Sequence, residues 1–61
     1  MAKVGDTIRI IGLEDPYASH YIGKTGVVEI IETDPWGETR LGGTWGGIFI
    51  YPLHDQIEII G

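Results

Sequence analysis

Cysteine is absent from the 61-residue sequence, and serine and methionine occur once each. Without cysteine the chain can form neither a disulfide framework nor a thiolate metal site. No apolar run approaches the ~18 residues that a membrane-spanning helix requires. Residues 1–6 also lack the apolar stretch of a secretory signal peptide, so we expect a cytoplasmic protein that does not enter a membrane.

Basic residues are scarce as well. The sequence has 4 lysine and arginine residues against 9 aspartate and glutamate residues, which gives a formal net charge of −5. The four cations are dispersed along the chain at Lys3, Arg9, Lys24 and Arg40. Proteins that bind a phosphate backbone need grouped cations to displace its counterions. The charge pattern therefore argues against nucleic acid as the main partner and favours a protein partner with a basic surface.

Isoleucine and glycine are the most abundant residues. Short β-favouring runs are separated by Gly, Pro and Asp, a pattern typical of an all-β barrel or sandwich. Strands are predicted at residues 7–11, 25–33, 38–41, 48–51 and 56–60, with a long loop at 12–23 and a bend near Gly26. One 3₁₀ turn is predicted at residues 52–55, before the last strand. Residues 1–61 thus predict a single small five-stranded SH3-like barrel domain, with an OB-fold as the nearest alternative.

So short a chain without disulfides has a thin stability margin. Self-association into a homo-oligomer is therefore an expected second source of stability.

Four segments of the sequence resemble a known family. Residues 4–11, 15–18 and 23–28, followed by the Gly-Thr-Trp-Gly-Gly segment at 43–47, are similar to short proteins of unknown function from phages and integrative elements of Gram-positive bacteria. The resemblance extends over nearly the whole chain, and its most specific part is the Thr-Trp-Gly-Gly sequence. The turn at residues 34–37 is longer and more aromatic than the family pattern. The resemblance implies a small barrel of phage or mobile-element origin in a bacterial host, and it implies no established activity.

The glycine-rich segment around Trp45 is the first candidate site. Glycines beside an aromatic ring let a flat ligand stack while its anionic part approaches backbone N–H groups. In this interpretation Trp45 stacks a base, Gly43, Gly46 and Gly47 offer N–H groups, and Arg40 meets a phosphate. The alternative interpretation is structural, with the glycines permitting a bend and Trp45 closing the core.

The aromatic residues of the long loop and of the following turn form the second candidate site. Tyr17, Tyr21 and Trp36 are predicted to share one rim of the barrel, where such side chains are typical interface anchors. The alternative interpretation is that one of the tyrosines folds back over the core.

No pattern indicates catalysis. Ser19 has no base at a useful spacing, and the adjacent pairs Glu14-Asp15 and His54-Asp55 do not make a spaced set of metal ligands. We therefore expect a non-enzymatic module without metal or cofactor. Two functions fit: a module that binds a host protein through the aromatic rim, or a counter-defence protein that sequesters a small nucleotide-like signal at Trp45.

Overall fold

A computed structural model describes the whole chain, Met1–Gly61. Four strands and one short 3₁₀ helix make up its regular structure: β1 Thr7–Gly12, the 3₁₀ helix Pro16–Tyr21, β2 Thr25–Thr33, β3 Thr39–Gly43 and β4 Gln56–Ile59. The strands form one antiparallel sheet in the order β3-β2-β1-β4. The predicted all-β class is confirmed. The structure contains no helix with the length and apolar character that a membrane crossing demands.

Strand β1 is one of the two inner strands of the sheet, and its side chains alternate between buried and exposed. Ile8 and Ile10 are completely buried, whereas Arg9 between them is exposed and pairs with Glu58 of β4. Successive side chains of a strand point to opposite faces, so one face of β1 carries the core and the other faces solvent. Ile8 pairs with Ile59 on one side and with Gly26 on the other.

Strand β2 is shared by the two halves of the sheet. Its first residues pair with β1, and residues from Val28 onward pair with β3, with a register shift between Val28 and Ile30. Such irregularities bend a strand and increase its twist. The bend was predicted near Gly26, and the shift lies just after this residue. Gly26 itself is needed for packing, since a Cβ there would lie 2.7 Å from the backbone nitrogen of Trp45.

The five-stranded closed barrel is not confirmed, because residues 48–51 form no strand. Only Ile50 pairs with β3, through two hydrogen bonds of 2.7 and 2.9 Å with Leu41. Pro52 has no N–H group with which to extend the ladder.

The predicted 3₁₀ turn at residues 52–55 is a hydrogen-bonded turn in which the N–H groups of His54 and Asp55 both donate to the Tyr51 carbonyl. The 3₁₀ helix lies instead in the predicted long loop. There Asp15 caps it by accepting from the Tyr17 N–H group, and Pro16 starts it.

The core is small and is formed by residues from every strand except β4. Its buried members are Ala2, Ile8, Ile10, Val28, Leu41, Trp45 and Ile50. Leu13, Tyr21, Ile48 and Ile57 pack against them from the half-buried layer. The largest side chain of this core is therefore the tryptophan of the glycine-rich segment.

Candidate functional site

Trp45 is a core residue. Its side chain is only 4% exposed, and its indole Nε1–H donates a 2.9 Å hydrogen bond to the Ile48 carbonyl. Both the ring and its polar group are thus used inside the protein. A base can stack on this ring only if the indole leaves the core.

Two residues that flank Trp45, Gly43 and Thr44, hold this segment closely against strand β2. A Cβ at Gly43 would lie 2.4 Å from the Trp45 ring and 2.3 Å from the Val27 carbonyl oxygen, so only glycine fits there. Gly46 has a φ of +145° and lies against the Tyr21 ring, whereas Gly47 has open space around it. The Thr44 hydroxyl accepts the Val27 N–H at 2.8 Å.

Arg40, the predicted phosphate ligand, is engaged by its neighbours. Its guanidinium lies 3.9 Å above the Phe49 ring and donates a 2.7 Å hydrogen bond from Nε to Glu32. Interaction with the Tyr51 phenol and the hydrogen bond to Glu32 raise the pKa of Arg40 above its ordinary value. A guanidinium that stacks on an aromatic ring and pairs with a carboxylate is held in one orientation.

The three aromatic residues of the predicted rim differ in their burial. Tyr17 is 90% exposed and Trp36 is 86% exposed, each far more than a core aromatic. Tyr21 packs against the core, with its ring against Gly46. Trp36 and the 3₁₀ helix that carries Tyr17 flank one groove, although Tyr17 itself does not line it.

A surface groove borders Trp36. It encloses about 550 Å³ between the segment that follows β1, the β2–β3 turn and residues 48–55. Its apolar lining residues are Leu13, Ala18, Trp36, Ile48, Phe49 and Tyr51. Its polar lining residues are Glu14, Asp15, Asp34, Glu38, His54 and Asp55, so five carboxylates surround a single basic side chain.

Asp34 holds the turn that presents Trp36. One of its carboxylate oxygens accepts the N–H groups of Trp36 and Glu38 at 2.9 and 2.8 Å. The hydrogen bond from Glu38 is the largest cause that lowers the pKa of Asp34 below 3.8, with further lowering from Trp36, Tyr51 and Arg40. The charged carboxylate therefore fixes one wall of the groove.

Asp55 fixes the opposite side in the same way. One oxygen accepts the Glu14 N–H and the other accepts the Tyr51 N–H, both at 2.9 Å. The bond to Glu14 joins residues that are 41 positions apart in the sequence. Asp55 thus ties the segment after β1 to the turn before β4.

His54 lies between two carboxylates. Its Nε2 is 3.0 Å from Glu38 Oε1, and its Nδ1 is 3.3 Å from Glu14 Oε2. The hydrogen bond to Glu38 is the main cause that raises the pKa of His54 above 6.5, and the charges of Glu14 and Asp55 add to it. Because the two carboxylates contact different ring nitrogens, the three side chains do not converge on one point. No group of side chains in the structure is arranged to hold a metal ion.

A second, smaller cavity of about 320 Å³ lies on another face. It is lined almost entirely by apolar residues, among them the exposed Met1, Ile31, Leu53 and Ile59. Neither Trp36 nor any carboxylate lines it.

Sequence reasoning missed the groove residues outside the predicted turn. The sequence indicates Glu14 and His54 only as members of adjacent pairs that could contact a metal, Asp55 also as a turn or cap residue, and Phe49 and Tyr51 only as strand residues. The groove depends on contacts between segments far apart in the chain, such as those of His54 with Glu38, 16 residues apart. Hydrophobic periodicity along one strand carries no information about such contacts.

Comparisons with protein-family models, with curated proteins and with solved structures give no match to this chain. The function proposed below therefore depends on the geometry and charge of the groove.

Proposed function

We propose that this chain is a non-enzymatic interaction module whose groove receives an extended segment of a partner protein. The observation that carries the proposal is Trp36, which is 86% exposed at the tip of a turn held rigid by Asp34 and which lines the groove. An exposed tryptophan beside a concave surface is the type of residue that supplies most of the binding energy at protein interfaces.

The groove is suited to a peptide because its walls are held in place before binding. Asp34 fixes the Trp36 turn and Asp55 joins the other two segments. Preorganised walls reduce the entropy that is lost when a ligand binds. Phe49, stacked under Arg40, adds a 42% exposed apolar surface to the lining.

Sequestration of a nucleotide-like signal at Trp45 receives no support from the geometry. The Trp45 ring is inside the core, and the Arg40 guanidinium is paired with Glu32. The groove itself offers five carboxylates to an anionic ligand. An anionic ligand would meet like charges there, so a peptide is the better ligand.

We also propose a fold type, an origin and a partner for this chain. The order β3-β2-β1-β4, with Ile50 paired to the outer edge of β3, supports an SH3-like strand arrangement in which residues 48–51 are a degenerate fifth strand. The family resemblance supports a phage or mobile-element origin. We propose a host protein in the bacterial cytoplasm as the partner.

The test is selection of binding peptides from a random 12-residue library, followed by affinity measurement with Trp36→Ala and Leu53→Ala. Leu53 is 81% exposed and lies outside the groove, which makes it a matched control. Trp36→Ala is expected to weaken binding by about 30-fold, the effect of losing a ~2 kcal/mol anchor, and Leu53→Ala is expected to leave it unchanged. Equal affinity for both variants contradicts the proposal. In a parallel measurement, native mass spectrometry with a panel of nucleotides is expected to show the bare protein, and a discrete nucleotide adduct favours the sequestration function.

A further inference from the structure

The charges around the groove indicate the chemistry of its ligand. Five of its lining residues are carboxylates and one is a histidine, and the whole chain has a net charge of −5. No lysine or arginine lines the groove. Complementary charge steers association and suppresses binding of wrong partners, so a basic segment fits and an acidic one does not.

The five carboxylates divide into two groups. Asp15, Asp34 and Asp55 accept hydrogen bonds from backbone N–H groups and thereby hold the loops in place. The Glu14 and Glu38 carboxylates accept no hydrogen bond from a backbone N–H group. His54 is the one side chain that bonds to either of them. These two glutamates are therefore the carboxylates that a ligand can engage without disturbing the fold.

We propose, on the basis of the function above, that the groove selects a segment with a lysine or arginine side chain, which replaces the His54 imidazole between Glu14 and Glu38. All three side chains are accessible for this exchange: His54 is 39%, Glu38 42% and Glu14 70% exposed. Exposed ion pairs contribute little to stability, so their exchange costs little.

The exchange makes binding depend on pH. The groups that face His54 are Glu38 of the β2–β3 turn, Glu14 of the segment after β1, and Tyr51 and Asp55 of its own turn. When His54 is protonated, its charge competes with the ligand cation for the two glutamates. When His54 is neutral, the glutamates lack a counter-charge and attract the ligand more strongly. Affinity for a basic segment therefore rises as the pH rises through the pKa of His54, which lies above 6.5.

The experiment uses the random 12-residue library and the full chain. Recovered peptides are expected to contain lysine or arginine, and replacing that residue with glutamine is expected to weaken binding by at least 10-fold. Affinity for a recovered peptide is expected to rise several-fold between about pH 5.5 and pH 8.5, the range in which histidine titrates. It is also expected to fall as salt is added, because exposed charges are screened.

Two variants separate this inference from a structural effect. His54→Gln is expected to bind at pH 5.5 as tightly as the unmodified protein does at pH 8.5, with a flat pH profile. Glu38→Gln is expected to lose about 10-fold in affinity. Far-UV circular dichroism of each variant confirms that the fold is kept. Binding by His54→Gln that is weaker than that of the unmodified protein at every pH contradicts the exchange.

The failure of this inference and the failure of the proposed function give different results. Recovered peptides that require Trp36 but lack basic residues, or that bind without pH dependence, overturn the inference and leave the interaction module standing. Basic peptides that are indifferent to Trp36→Ala overturn the groove as the docking site. A library that yields no binding peptide overturns both.

Discussion

The burial of Trp45 predicts a large loss of stability for Trp45→Ala. This side chain is 4% exposed, belongs to the seven-residue core and donates a hydrogen bond to the Ile48 carbonyl. Replacing a buried tryptophan with alanine typically costs about 3–5 kcal/mol. A chain of 61 residues has a total unfolding free energy of roughly 3–9 kcal/mol, so the variant is expected to be marginally folded or unfolded.

The assay is urea denaturation at 25 °C followed by far-UV circular dichroism, with Trp36→Ala as the control. Trp36 is the other tryptophan of the chain and is 86% exposed, so its removal is expected to change the unfolding free energy by no more than ~0.5 kcal/mol. Trp45→Phe keeps a ring and loses the indole hydrogen bond, and its expected cost is about 1–3 kcal/mol. A loss below ~1 kcal/mol for Trp45→Ala refutes the assignment of Trp45 to the core.

Three further predictions concern the segments around the core and the groove. Gly46→Ala is expected to destabilise by about 1–3 kcal/mol in thermal or urea unfolding, because Gly46 has a positive φ and a Cβ there would lie 2.5 Å from Tyr21, whereas Gly47→Ala is expected to be neutral or slightly stabilising. Asp34 stabilises the fold above its ordinary pKa of 3.8, and this contribution is lost as the pH falls through its lower folded pKa. Asp34→Asn is expected to lower the melting temperature at pH 7 and to make the melting temperature depend less on pH in the acid range. The raised pKa of His54 stabilises the fold below pH 6.5, and this contribution disappears as the pH rises through the folded pKa. The unfolding free energy of His54→Gln is expected to lack this dependence on pH. An NMR titration of His54 with a midpoint at or below 6.5 contradicts the prediction.

The strands that carry clear alternation could be predicted from the sequence. β2 has the predicted bounds, residues 25–33, and β1 and β4 differ from the predicted runs by one residue at their C-terminal ends. In β1 and β4 the signal is the alternation of Ile8, Ile10 and Ile57 with polar residues. The run at residues 48–51 is equally β-favouring, yet only Ile50 pairs with β3. The Ile48 carbonyl accepts the Trp45 indole N–H, and Pro52 has no N–H group with which to pair. Local propensity does not show the contact of Ile48 with Trp45.

The candidate site was less predictable because one sequence pattern permits two structures. A tryptophan between glycines fits both an open stacking platform and a core residue packed tightly by the backbone. The distinction depends on Gly43 and Gly26, whose missing Cβ atoms leave the space that the Trp45 backbone and ring occupy. The exposed Trp36 turn was predicted from its Asp-Pro-Trp-Gly sequence. The contact between Asp55 and the Glu14 N–H could not be predicted, because the two residues are 41 positions apart in the sequence.

The most direct test of the account is an NMR titration of the ¹⁵N-labelled protein with a peptide recovered from the library. Shifts are expected at Glu14, Trp36, Glu38, Phe49 and His54, which border the groove. Saturable shifts confined to residues 43–47 contradict the account in favour of the Trp45 segment. Shifts confined to Met1, Leu53 and Ile59 contradict it in favour of the second cavity.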